Sequence, residues 1–207
     1  MHIAIAGNIG AGKSTLTQLL ADHFNWKPQF ESVEDNPYLE QFYGDMERWS
    51  FNLQIYFLQN RFQQIKDIQD GGMSVIQDRT IYEDAFIFAP NLYDMKLMSD
   101  RDFKNYKHLF ELIHSFLSPP DLLIYLKSSV PKLVEKIEKR GRDCENNISQ
   151  EYLINLNNRY EDWIQTYNKG NVLILEVDEL DFVSNTTDKE EVIRLVKQKL
   201  ENYSSLA

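Results

Sequence analysis

The sequence predicts an α/β protein built on a five-stranded parallel sheet flanked by helices. Two observations predict it. Short apolar runs, read as buried strands, recur at 2 to 6, 74 to 77, 122 to 126 and 172 to 177, with longer helical patterns between them, and such alternation implies parallel pairing. A glycine-rich loop, Gly7-Asn8-Ile9-Gly10-Ala11-Gly12-Lys13-Ser14, directly follows the first run and opens a helix.

The elements follow in order. The first helix runs from about 13 to 24. A weaker fifth strand at 28 to 31, before Pro37, puts Glu31 at the carboxyl edge of the sheet, where open α/β sheets place their ligands. Residues 46 to 69 contain no Gly or Pro and read as one long helix. Further helices are expected at about 100 to 117, 130 to 140, 150 to 168 and 188 to 203. The long helix is apolar nearly all round, since Trp49, Phe51, Leu53, Ile55, Tyr56, Phe57, Leu58, Phe62 and Ile65 cannot share one stripe. It is a deeply buried core helix, a dimer interface or the wall of an apolar pocket.

At 207 residues the chain fits one domain spanning 1–207, long enough to bury a substantial core. With 32 Asp and Glu against 22 Lys and Arg, the net charge of -10 would repel a nucleic-acid polymer. Cys144 is the single cysteine, so nothing asks for an oxidising compartment and a cytoplasmic location is expected. No stretch approaches the ~20 apolar residues of a membrane span, and the N-terminus lacks the pattern of a signal peptide.

The loop works physically because its glycines let successive backbone N–H groups turn inward on phosphates, while the following helix presents its positive end. Lys13 would reach the β and γ phosphates of a nucleoside triphosphate, and the Ser14 hydroxyl would ligate magnesium. The acceptor is a separate question. Glu31, Glu34 and Asp35 crowd the same edge; one of them could serve as a base for a hydroxyl acceptor, or the segment is a solvated acidic loop. Asp78 and Arg79 end the strand at 74 to 77, either as magnesium-shell and phosphoryl-neutralising groups or as a surface ion pair. Lys139-Arg140-Gly141-Arg142 closes a basic helix with a glycine loop that can carry two arginines onto triphosphate oxygens. Gln54, Phe57 and Arg61, spaced i, i+3 and i+7, share one face of the long helix. Gln54 offers a donor and an acceptor to a base edge, and Asp84 would pair the otherwise costly charge of Arg61.

These residues resemble the deoxynucleoside kinase family, especially its small bacterial members that act on purine deoxynucleosides. The resemblance spans almost the whole chain: the phosphate loop, the acidic stretch at 31 to 38, Arg48-Trp49-Ser50-Phe51 with Gln54, Asp78-Arg79-Thr80, Asp84, Phe88-Ala89, Arg140-Gly141-Arg142 and Asp181-Phe182. It implies a P-loop kinase fold with an Arg-rich lid at about 139 to 150, ATP and Mg2+ as cofactors, and a homodimer through the long helix and its neighbour at 100 to 117. It also implies transfer of the ATP γ-phosphate to a deoxynucleoside 5'-hydroxyl, with deoxyadenosine as the expected substrate. Under that resemblance Glu31 matches the general base, Arg79 the arginine supporting it, and Lys13 the phosphate-contacting lysine. Gly7 to Ser14 with Thr15, Arg140, Arg142, Asp181 and Phe182 match the donor site, and Ser14 and Asp78 the metal site. Tyr43 and Glu145 match the pair on the sugar 3'-hydroxyl, while Gln54, Phe57, Arg61, Asp84 and Phe88 match the nucleobase site. The sequence departs from the family in reading Glu31-Ser32 rather than Glu-Pro, which leaves Glu34 as the alternative base, and in placing Cys144 where many relatives are acidic. Phe57 is bulkier than the residue some relatives carry. A nucleoside monophosphate kinase of the thymidylate kinase type is the alternative reading. It fits less well, because a phosphate acceptor needs no base and no arginine stands in the 31 to 45 region.

Overall fold

Apolar runs with too few polar positions to face water on either side form the middle of the sheet. In the computed structural model they are β1 (His2–Gly7), β3 (Val75–Asp78) and β4 (Leu122–Lys127), flanked by β2 (Lys27–Gln29) and β5 (Asn171–Glu176). The structure describes residues 1–31, 36–142, 145 and 148–204, with side chains to 201. All pairings are parallel in the order β2-β3-β1-β4-β5. The edge position of β2 suits Pro28, which has no N–H for a second neighbour. The weak strand is thus shorter than its predicted span, and Glu31 lies just past its end.

Helices cover both faces. They are α1 (Lys13–Phe24), α2 (Leu39–Gly44), α3 (Met46–Gly71), α4 (Ile81–Glu83), α5 (Ala89–Asp94), α6 (Asp100–His114), α7 (Val130–Arg140), α8 (Gln150–Thr166) and α9 (Thr186–Ser204). A π-helical turn, Asp84–Phe88, joins α4 to α5. One core cluster packs α1 and α9 on the sheet through Leu16, Leu20, Val192 and Val196; burying each such side chain contributes about 1.5–3 kcal/mol. The other cluster packs α3, the π-turn, α6 and α8 on the opposite face through Leu58, Ile87, Tyr106 and Leu156.

The long helix starts where Asp45 accepts the Arg48 N–H at 3.1 Å and stops at Gly72, whose φ is 62°. Its apolar excess is shared among neighbours. Leu53, Leu58 and Ile65 enter the core, Trp49 and Tyr56 meet Tyr38 just before α2 at ring distances of 5.9 and 6.0 Å, and Leu53 and Phe57 line a cleft. The chain leaves β1 between β3 and β4, so the loops after β1 and β3 meet at the switch point of the sheet, the position open α/β folds use for ligands.

Candidate functional site

The phosphate loop takes the conformation its glycines allow. Gly10 has φ 86°, and a Cβ there would lie 2.9 Å from the Leu133 carbonyl oxygen and the Ile137 side chain, so no other residue fits. Asn8 locks the loop to its surroundings: its Oδ1 accepts the Ile9 N–H at 2.8 Å, and its Nδ2 donates to the Leu153 carbonyl at 3.1 Å and to Asn157 Oδ1 at 3.2 Å, both on α8. Lys13 is buried, and its Nζ donates across the loop to the Asn8 carbonyl at 2.9 Å. Burial pushes its pKa down to about 8, helped by the Arg79 charge and opposed by Asp78, Glu83 and Glu31. The Ser14 hydroxyl lies 2.5 Å from Asp78 Oδ2, and the buried Asp78 Oδ1 has no hydrogen-bond partner among the described residues.

At the tip of β3 the chain turns sharply. Arg79 has φ 69°, a left-handed conformation for a bulky residue, which costs on the order of 1–3 kcal/mol and is held by the surrounding structure. The turn aims its guanidinium over the Phe88 ring at 4.4 Å, with Nε 3.6 Å from Glu31 Oε2. Arg61, 1% exposed, donates from Nη2 to Glu31 Oε1 at 2.6 Å and from Nε to Asp84 Oδ2 at 2.7 Å. Burial alone would raise the Glu31 pKa, but Arg79, Arg61 and Lys13 outweigh it and hold the carboxyl below its ordinary value. Asp84 has the opposite balance: burial pushes it up to about 6 against the pull of Arg61 and Arg79.

A cleft of about 460 Å³ joins these groups, a volume suited to a small ligand. Its lining includes Ile9, Gly10, Lys13 and Ser14 from the loop, Glu31, Asp78 and Arg79 at the strand tips, and Tyr43, Gln54, Phe57, Asp84, Phe88, Arg140, Arg142 and Glu145. Gln54 Oε1 is buried there without a partner among the described residues, an acceptor for a ligand. Glu145 is engaged with the arginines expected in the lid: its Oε2 lies 3.1 Å from Arg140 Nε and 2.5 Å from Arg140 Nη2, and its Oε1 lies 3.6 Å from Arg142 Nη1. Asp181 and Phe182 stand apart from this cleft. Asp181 caps its own loop by accepting the N–H groups of Val183 and Ser184, and Phe182 lines a separate groove with Thr15 and Gln18, beside Gly12. Glu34 and Cys144 lie outside the described residues.

One buried residue at this site went unread in the sequence. Glu83 is fully buried and accepts the Gly7 N–H at 3.3 Å, the Tyr160 hydroxyl at 2.8 Å and the Thr80 N–H at 2.7 Å. Because β3 turns away at Arg79, this carboxylate takes the Gly7 N–H and so ties the start of the phosphate loop to the turn after β3 and to α8. Thr80-x-x-Glu83 is a capping-box pattern, and that was the available signal.

A phosphate loop on the first strand, facing a shielded carboxylate across one cleft, defines a phosphotransferase of the P-loop kinase fold. The Deoxynucleoside kinase family pattern matches residues 3–201. The chain is 43% identical over 193 residues to the deoxyadenosine/deoxycytidine kinase of Bacillus subtilis, covering 92% of this chain and 89% of that one. It is 39% identical to the deoxyguanosine kinase of the same organism, covering 95% and 96%. A solved deoxyadenosine kinase from M. mycoides, with products dCMP and dCDP bound, superposes with a TM-score of 0.85 at 33% identity, covering 96% of this chain and all of the other. The chain therefore belongs to the deoxynucleoside kinase family. It is an enzyme that phosphorylates a deoxynucleoside, and the thymidylate kinase alternative is not favoured.

Proposed function

We propose that this kinase transfers the γ-phosphate of ATP to the 5'-hydroxyl of deoxyadenosine first among deoxynucleosides, with Glu31 as general base. The observation that carries the reading is the Glu31 carboxylate held between Arg61 and Arg79 in the cleft that also contains Lys13 and Ser14. A hydroxyl acceptor must lose a proton during attack, and this carboxylate can take it. Arg79 supports the base and neutralises phosphoryl oxygens, and Lys13 with the loop amides grips the β and γ phosphates.

Gln54, Phe57, Arg61, Asp84 and Phe88 form the nucleobase wall, where the pairing of Arg61 with Asp84 suits a base edge presenting both donor and acceptor. The deoxyadenosine kinases among the relatives support that choice of base. Tyr43 and Glu145 are assigned to the sugar 3'-hydroxyl, Asp181 and Phe182 to the donor adenine. Arg140 and Arg142 are assigned to a lid at about 139 to 150, which requires them to exchange Glu145 for triphosphate oxygens. The chain is read as one domain over 1–207.

Asp78 Oδ1, unpartnered among the described residues, and the Ser14 hydroxyl would suit a magnesium ion that comes with the nucleotide phosphates. Among the described residues no group of three His, Cys, Asp or Glu side chains would enclose a metal by itself, in keeping with an ion that arrives with its nucleotide. When bound, the ion neutralises charge on the β and γ oxygens.

The test is an assay with ATP and magnesium across all deoxynucleosides, their ribose counterparts and the monophosphates. Deoxyadenosine should give the highest kcat/KM and ribonucleosides much lower values; phosphorylation of monophosphates would overturn the acceptor assignment. A homodimer is proposed through α3 and α6, supported by the exposed ridge of Leu109, Leu112 and Phe116, the last two more than 60% exposed. Sedimentation should give twice 24.5 kDa, and Leu112→Glu should shift it to the monomer; a wild-type monomer would remove the proposal. The cytoplasm is the proposed location, on the strength of a single cysteine. Among the described residues no helix is long and apolar enough to cross a membrane.

A further inference from the structure

Arg79 enters the cleft from a strained turn, and such strain persists only where neighbours hold it. Phe88 supports the face of its guanidinium at 4.4 Å, and Glu31 Oε2 lies 3.6 Å from Nε. The other end of the group is held from behind, where Nη1 donates to the Tyr160 hydroxyl oxygen at 3.4 Å. Tyr160 belongs to α8, is fully buried and lies behind the cleft rather than in its lining. Its ring is stacked on Tyr125 at 5.7 Å and meets Trp163 edge-on at 6.4 Å, which fixes where the oxygen sits.

A hydroxyl has one proton to donate, so the polarity it shows a cation depends on where that proton goes. Here it goes to Glu83. Tyr160 donates to Glu83 Oε1 at 2.8 Å, which turns a lone pair toward Arg79. Burial first and Glu83 second raise the phenol pKa well above its ordinary value, so the proton stays on the oxygen. The same Glu83 oxygen accepts the Gly7 N–H at 3.3 Å, and Oε2 accepts the Thr80 N–H at 2.7 Å. A continuous chain therefore runs from the Arg79 guanidinium through Tyr160 and Glu83 to the first residue of the phosphate loop. Helix α8 anchors the loop as well, since Leu153 and Asn157, which precede Tyr160 on it, hold Asn8.

We propose that Tyr160 is a positioning residue for phosphoryl transfer: its hydroxyl, oriented by Glu83, fixes Arg79 relative to the phosphate loop, so that the guanidinium meets the γ-phosphoryl where the loop delivers it. This rests on the assignment of Arg79 to the phosphoryl oxygens. A preorganised charge stabilises a transition state to the extent that it is already aimed when charge develops. Without the hydroxyl, Arg79 keeps its charge and loses part of its aim. The loop amides and Lys13 still bind the triphosphate, so the loss falls on the transition state rather than on the ground-state complex.

The test is a double-mutant cycle read by steady-state kinetics. Tyr160→Phe deletes one oxygen and keeps the ring packing; it should lower kcat about tenfold, with KM for ATP and for deoxyadenosine staying within about twofold. In an Arg79→Lys background the same change should alter kcat by less than about twofold, because the group it aims is gone. Wild-type kcat in Tyr160→Phe, or a tenfold loss repeated in full on Arg79→Lys, overturns the proposal and leaves the hydroxyl a role in the fold alone. Wild-type enzyme gives a second reading that needs no Tyr160 variant. The 15N signals of the Arg79 guanidinium, assigned by their loss in Arg79→Lys, should show separate Nη1 and Nη2 resonances, the mark of hindered rotation about Nε–Cζ. One averaged resonance overturns the restraint even if Tyr160→Phe fails to fold. Wild-type kcat in Arg79→Lys, with the two resonances separate in the parent enzyme, removes the role of Arg79 in transfer instead, so the two failures are told apart.

Discussion

Glu31→Gln is expected to lower turnover by ~10² or more, the range a positioned general base supplies, while the affinity for ATP stays nearly intact. Glutamine keeps the length and planarity of the side chain but cannot hold the transferred proton. It also leaves Arg61 and Arg79 without the carboxylate at 2.6 and 3.6 Å. Asp84 still pairs with Arg61, and the Tyr160 hydroxyl still lies 3.4 Å from Arg79 Nη1, so the fold should tolerate the change better than removal of either arginine, since an unpaired buried charge is what destabilises most. Steady-state kinetics with saturating deoxyadenosine and varied ATP make the distinction: the loss belongs in kcat and not in KM for ATP. A variant with wild-type turnover would move the base to another group, Glu34 being the sequence neighbour with the right chemistry.

Much of this was readable from local signals. The ends of α1 and α7 and the span of β4 follow from apolar periodicity and Gly or Pro punctuation, which act within a few residues. The shared face of Gln54, Phe57 and Arg61 follows from helix geometry, but only Gln54 and Phe57 line the cleft; Arg61 is buried behind it, its guanidinium 5.8 Å from the Phe57 ring and paired with the lining carboxylates of Glu31 and Asp84. The short elements were not readable. Helix α2 is six residues long with no side-chain cap, and the π-turn at Asp84–Phe88 differs from an α-helix by one hydrogen-bond step, which leaves the apolar pattern unchanged.

Long-range pairings were equally silent. Glu31 and Arg61 are thirty positions apart on a loop and a helix, and their contact depends on how α3 crosses the end of β2. The engagement of Glu145 with Arg140 and Arg142 is local in sequence, yet the resemblance pointed Glu145 at the sugar. In the structure that carboxylate pairs with both arginines, as a buried charge with two cations in reach must.

Lys13→Met should cost ~10² to 10³ in kcat/KM for ATP, the penalty for removing one preorganised charge from a site of developing negative charge. Methionine fills the buried channel of the lysine stem, so the loop, held by Asn8 to α8, should keep its shape, and deoxynucleoside binding should be spared. The pH dependence supplies an internal check. Burial has lowered the Lys13 pKa to about 8, so in the free enzyme the ammonium loses its proton as pH rises through that value, and kcat/KM for ATP should fall above it. Bound triphosphate stabilises the charged form, so kcat at saturating ATP should hold to higher pH. The Met variant has no such group and should lack that alkaline limb altogether. If wild type and variant shared one alkaline profile, Lys13 would not be the group titrating, and its hydrogen bond to the Asn8 carbonyl would be structural rather than a resting position from which it swings to phosphate.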